Sequence, residues 1–113
     1  MQKDDAIRFR HMLDAVREAQ AFAASRSRLD LDQDRMLLLA LVKDIEIVGE
    51  AASRVSAAAK AEWPEIPWQD IVATRHRLIH GYFDIDLDIV WNTVRDDLPP
   101  LADQLANALG SVS

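Results

Sequence analysis

Residues 30–61, DLDQDRMLLLALVKDIEIVGEAASRVSAAAKA, decide how this chain folds. Leu38, Val42, Ile45, Val48, Ala52 and Val55 recur at steps of three and four, the period of one helix face. Asp30 is placed to cap such a helix, with Gln33 three residues on as a capping-box partner. The pattern predicts one long helix over 30–61. Gly49 lies inside it at a cost of about 1 kcal/mol relative to Ala, which a close helix–helix approach would offset.

On either side of this stretch the same period continues. Phe9, Leu13, Val16 and Ala23 predict a helix over 4–26, with Asp4 and Asp5 at its positive end and Arg26 and Arg28 near its other end. Trp63-Pro64-Glu65-Ile66-Pro67 interrupts the pattern, and Pro67 suits the first turn of a third helix carrying Trp68, Ile71, Val72, Leu78 and Ile79. Gly81 is a candidate C-cap for it. A fourth helix starts among Asp84, Asp86 and Asp88 and carries Val90, Val94 and Leu98. Pro99-Pro100 should kink or split it before Leu101, Leu105 and Leu109 resume the stripe. The expectation is an all-α protein: an antiparallel bundle of four main helices forming a single domain over 1–113.

Composition agrees with that class. The chain has 113 residues, enough for one hydrophobic core and too few for two. Three glycines and four prolines are too few for a fold built on many tight β turns. The absence of cysteine removes disulfides, thiolate zinc sites and a cysteine nucleophile. No apolar run reaches the roughly 18 residues of a membrane span, and Met1-Gln2-Lys3-Asp4-Asp5 has no signal-peptide core behind it, so a soluble cytoplasmic protein is expected. The net charge of −6 argues against non-specific grip on nucleic acid. All of that excess lies after residue 60, where Arg75 and Arg77 beside His76 and His80 form a small positive island.

The island has an unusual position. At about 100° per residue, Arg75 falls within the apolar stripe of Trp68, Ile71, Val72 and Ile79. An unpaired buried guanidinium costs several kcal/mol, so Arg75 needs a carboxylate partner, with Glu50 and Glu46 as candidates, or the stripe faces a cleft. His76 and His80, four apart, share a helix flank, but with no thiolate and only His11 besides, they make a poor zinc site. Asp84, Asp86 and Asp88 have the spacing of a calcium loop without its glycine and final glutamate, and suit a helix start better. Tyr82, the one tyrosine, follows His80 by two residues.

Residues 75–82, RHRLIHGY, have the form R-x4-H-x-Y. This resembles the signature of the HEPN superfamily and of its HepT-like toxin branch. Three flanking blocks are similar to the same branch: IVGEAA at 47–52, IPW at 66–68 and DLDIVW at 86–91. His76 is a departure, because the branch most often has Asn there.

The resemblance implies a metal-independent endoribonuclease toxin that acts as a homodimer, without a cofactor. Arg75 and His80 would be its catalytic residues, His76 and Arg77 would hold RNA phosphate, and Glu50 would orient Arg75. A twofold axis would bring two Arg75 and two His80 into one cleft and so supply both an acid and a base. It implies too that Tyr82 is the target of a partner MNT-type nucleotidyltransferase antitoxin, which attaches AMP in a type VII toxin–antitoxin system. Two other readings stand beside it. One is a HEPN-like dimer that binds a nucleotide or a partner and cuts nothing, which the acidic charge favours. The other is a structural helical bundle within a larger complex.

Overall fold

In the computed structural model, which describes residues 1–80 and 84–110, the chain is helical nearly throughout. Helix α1 spans Lys3–Ala23, close to the expected range. The predicted long second helix is instead three pieces: α2 (Asp30–Gln33), α3 (Arg35–Ser53) and α4 (Ala57–Glu62). Capping side chains make both breaks. Asp34, not Asp30, caps the main helix, its Oδ1 accepting from Leu37 N at 3.0 Å from an extended backbone. Ser56 does the same for α4, its Oγ accepting from Ala59 N at 3.2 Å. A 3.6-residue period carries through such breaks, because one residue out of helix at Asp34, and three at 54–56, leave the apolar spacing nearly intact.

Ser56 is also tied to the first turn of α1. Its N–H and hydroxyl donate to the Asp5 carboxylate at 2.9 and 2.7 Å, and these bonds hold that buried carboxyl below the usual range. Further along, Glu18 of α1 faces Asp44 of α3. The start of α1 thus meets the chain just past α3, and its later turns meet the middle of α3, so the two helices run antiparallel. Between them lie Phe9, Met12, Leu13, Val16, Leu41, Ile45 and Val48, all buried. Leu101, Leu105 and Ala108 close the core from the far end of the chain.

Helix α5 spans Trp68–Arg77, shorter than expected. It does not reach Gly81, which with Tyr82 lies outside the described residues. Leu78 ends it and is fully buried. The chain then extends: β1 (Ile79–His80) pairs antiparallel with β2 (Asp84–Ile85), Ile79 opposite Ile85 and His80 opposite Asp84. Below this ladder, Asp86 N donates to Leu78 O at 2.7 Å. His80 is therefore not on the helix, and its expected helical relation to His76 does not exist. Trp68 packs edge-on to Phe9, ring centroids 5.5 Å apart, and donates its indole N–H to Trp63 O.

Asp86 caps α6 (Leu87–Asn92), accepting from Ile89 N at 3.1 Å. A π-helical turn at Thr93–Asp97 then joins it to α7 (Leu98–Gly110). The irregularity thus falls one turn before Pro99-Pro100, not at them. The cause is steric. A proline ring meets the carbonyl four residues back and leaves it without a donor. The widened turn, in which Leu98 N donates to Thr93 O, moves those carbonyls aside. No helix among the described residues is long and apolar enough to cross a membrane.

Asp44 is 2% exposed, and its Oδ2 has no hydrogen-bond partner among the described residues. Burial, and then the facing Glu18, push its carboxyl up to about 7. The folded protein thus keeps a proton that the unfolded chain releases at lower pH. Stability from this group is full below the unfolded carboxylate pKa of about 4 and declines as pH rises towards the folded value. Asp44→Asn should raise the melting temperature at pH 8 and leave it nearly unchanged near pH 4. Thermal melts across that range check this, and equal shifts at both ends would contradict it.

Candidate active site

The motif is built where α5 crosses α3. Gly49 gives α5 room there. A Cβ on Gly49 would lie 2.9 Å from Arg75 Cδ and 3.1 Å from Arg75 Cβ, closer than side chains pack. The helix interior accepts a glycine because the Arg75 stem lies across it. Held there, Arg75 Nη1 donates to Glu50 Oε2 at 3.0 Å. Glu50 Oε1 accepts from Arg54 Nε at 2.8 Å, one turn further along α3. The Arg54 guanidinium first, and Arg75 after it, hold the Glu50 carboxyl below the usual carboxylate range.

Of the two carboxylates that could serve Arg75, the partner is therefore Glu50. The cleft expected as the other option exists as well. The Arg75 side chain is 34% exposed and borders an open hollow of about 340 Å³ between α1, α3 and α5. Its other walls are Arg8 and His11 of α1 and Lys43, Glu46, Ile47 and Arg54 of α3. Arg8, Lys43 and Arg54 were missed in the sequence, although the signal was there. Lys43, Glu46, Glu50 and Arg54 recur at steps of three and four on one face of α3, and Arg8 and His11 are three apart on α1.

The three consecutive residues Arg75, His76 and Arg77 diverge. His76 is exposed and borders a different hollow, with Trp68, Val72 and Lys60. Arg77 Nη2 donates to Thr74 Oγ1 at 3.0 Å and lines a third, beside Asp70 and Asp97. Among the candidate residues whose side chains are described, only Arg75 and Glu50 meet. The His80 side chain and the whole of Tyr82 lie outside the described residues. The backbone of His80 sits two residues past the buried Leu78, on a segment closed by the Leu78–Asp86 bond.

A helical chain with an arginine bridged to a carboxylate at a glycine crossing, and a histidine just beyond the helix end, defines a class. The chain belongs to the ribonuclease HepT-like family, whose model matches residues 12–108. It is similar to a protein of Thermococcus cleftensis named “Probable ribonuclease HepT”, 38% identical over 68 residues, covering 60% of this chain and 62% of the relative. A Methanocaldococcus jannaschii protein named “Gamma-glutamylcyclotransferase and putative RNase” is 29% identical over 93% of this chain, which spans 47% of that relative. One from Caldanaerobacter subterraneus, named “Putative RNase”, is 32% identical over 71% of each chain. The chain thus spans less than two thirds of the length of the first two. No solved structure matches it significantly.

Gly49→Ala should not gain the helix propensity of alanine. The Arg75 stem must move, so the variant is expected to be less stable than wild type despite a propensity gain of about 1 kcal/mol. In an Arg75→Ala background the Cδ atom is absent, and the same substitution should cost less, with a coupling of about 1 kcal/mol. A double-mutant cycle by denaturant unfolding measures this, and additivity would show that the crossing does not depend on the pair.

Proposed function

We propose that the chain is a metal-independent endoribonuclease that cuts RNA through the ribose 2′-OH, with Arg75 and His80 as its catalytic residues. The observation that carries this reading is Arg75 at the rim of an open cleft, held by Glu50 from behind. A guanidinium so placed stays cationic and offers forked donors to phosphate oxygens. Charge stabilisation of this kind is usually the largest contribution to phosphoryl chemistry.

The reaction balances without a metal. The 2′-oxygen attacks the adjacent phosphorus as its proton passes to a neutral imidazole. The bond from phosphorus to the 5′-oxygen breaks, and that oxygen takes a proton from an imidazolium. The products are a 2′,3′-cyclic phosphate and a 5′-hydroxyl. A free imidazole titrates at about 6.5, so one ring can serve as base and another as acid near neutrality. Two rings are supplied by a homodimer in which a twofold axis brings both His80 and both Arg75 to one groove. Arg77 and His76, facing other hollows, would meet RNA only beyond the scissile phosphate.

Tyr82 is the regulatory residue in this reading. An MNT-type nucleotidyltransferase antitoxin would transfer AMP from ATP: the phenolic oxygen bonds to the α-phosphorus, its proton leaves and pyrophosphate is released. The added phosphate and base would repel and block RNA beside the cleft. The chain would then be the toxin of a type VII toxin–antitoxin pair, working in the cytoplasm. The net charge of −6 favours a second reading, a HEPN-like dimer that binds a nucleotide or a partner without cutting.

Purified protein with single-stranded RNA in EDTA should leave 2′,3′-cyclic phosphate ends. Arg75→Ala and His80→Ala should each lower cleavage by more than about a hundredfold, the range for removing a general acid–base group or an oxyanion donor. No cleavage of any RNA by unmodified protein would favour the binding reading. Co-expression with an active transferase should add AMP mass to the wild type and none to Tyr82→Phe. An unchanged intact mass in the wild type would remove the switch.

A further inference from the structure

We infer that the hollow beside Arg75 is a subsite for an RNA backbone phosphate next to the scissile one, with Arg8 and Lys43 as its ligands. This rests on the ribonuclease reading and extends it to residues that neither the motif nor the family blocks contain.

The argument starts from charge. The chain as a whole is acidic, at −6. Yet this hollow gathers four fixed cations, Arg8, Lys43, Arg54 and Arg75, against two carboxylates, Glu46 and Glu50. Glu50 is already shared between Arg54 and Arg75. Among the described residues, neither Arg8 nor Lys43 has a carboxylate within ion-pair distance. Like charges placed together repel, and an acidic protein has carboxylates to spare. Two unpaired cations on facing helices therefore mark a place where an anion is missing.

Geometry selects the anion. The hollow is open to solvent and holds about 340 Å³, room for a phosphate and its ribose. Its floor is two antiparallel helices, α1 and α3, which bring Arg8 and Lys43 to one hollow. It is continuous with Arg75, and a polynucleotide held at Arg75 by one phosphate must place the next one beside it. His11, exposed beside Arg8 on the α1 wall, adds an imidazole edge that can donate to the same backbone. A phosphate backbone carries its charge at regular intervals and is read without regard to base, so the subsite should add affinity and not sequence preference.

The test uses the full chain and the double variant Arg8→Gln/Lys43→Gln. Both side chains are at least partly exposed, so folding should be spared. The control Lys3→Gln/Arg17→Gln removes the same charge elsewhere, at two exposed positions away from all the hollows described. On a single-stranded oligoribonucleotide the cleft variant should raise KM about tenfold and change kcat by less than about twofold. Binding of the same oligomer with a 2′-deoxy group at the cut position should weaken in parallel. Its salt slope should fall by about 0.7, for the one phosphate no longer neutralised. The control should stay near wild type. If the wild type cleaves RNA and the cleft variant has an unchanged KM and salt slope, the subsite is wrong and the ribonuclease reading stands. If both double variants weaken binding equally, the effect is net charge alone and the subsite is again wrong. If the variant loses dimerisation and keeps RNA affinity, the hollow is a protein interface, which also overturns it. If the wild type neither binds nor cuts any RNA, the ribonuclease reading falls first and the subsite with it.

Discussion

The approach of α5 to α3 at Gly49 is the constraint on which the rest depends. Only a residue without a Cβ lets the Arg75 stem lie flat on the helix, 2.9 Å from where that Cβ would stand. The closeness puts the guanidinium within reach of Glu50, one residue on. It also sets the direction in which α5 points, and so where the chain goes after Leu78. A helix penalty paid at one position thus places a cation, its counter-ion and the segment that carries His80.

The site is assembled from parts of different rigidity. Arg75 and Glu50 sit on helices packed into the main core. His80 sits on a two-residue strand, fixed at its base by the buried Leu78 and the Leu78–Asp86 backbone bond. Because α5 stops at Arg77, the wide angle between Arg75 and His80 on an ideal helix does not arise. Extended backbone can turn a side chain towards a neighbour that a continued helix would have carried away. The same break explains why Leu78 is buried and Ile79 exposed, although both fit one helical stripe.

Much of this was legible in the sequence. The helical period showed a mostly helical chain, without the short β1–β2 ladder, and Gly49 inside it showed a close approach. The place of Arg75 on an apolar stripe showed that it needed either a partner or a cleft, and it has both. What was not legible has physical causes. Period alone cannot see a cap that interrupts a helix for one to three residues, so α2, α3 and α4 read as one. Prolines announced an irregularity, but the backbone absorbed it a turn earlier, where widening clears both rings at once. The spacing of Arg8 and Lys43 put each on a charged helix face, but that the two faces meet depends on the packing of α1 on α3, which no local pattern states.

Glu50 bridges two guanidiniums, and this has a consequence for traffic at the rim. A carboxylate with one partner would be left to solvent alone when that partner turned to another anion. Here Arg75 can release its side of the bridge while Arg54 keeps hold of the other oxygen. The acid acts as a parking place with a second tenant. The guanidinium is kept straight while idle and gives up little when it is called away.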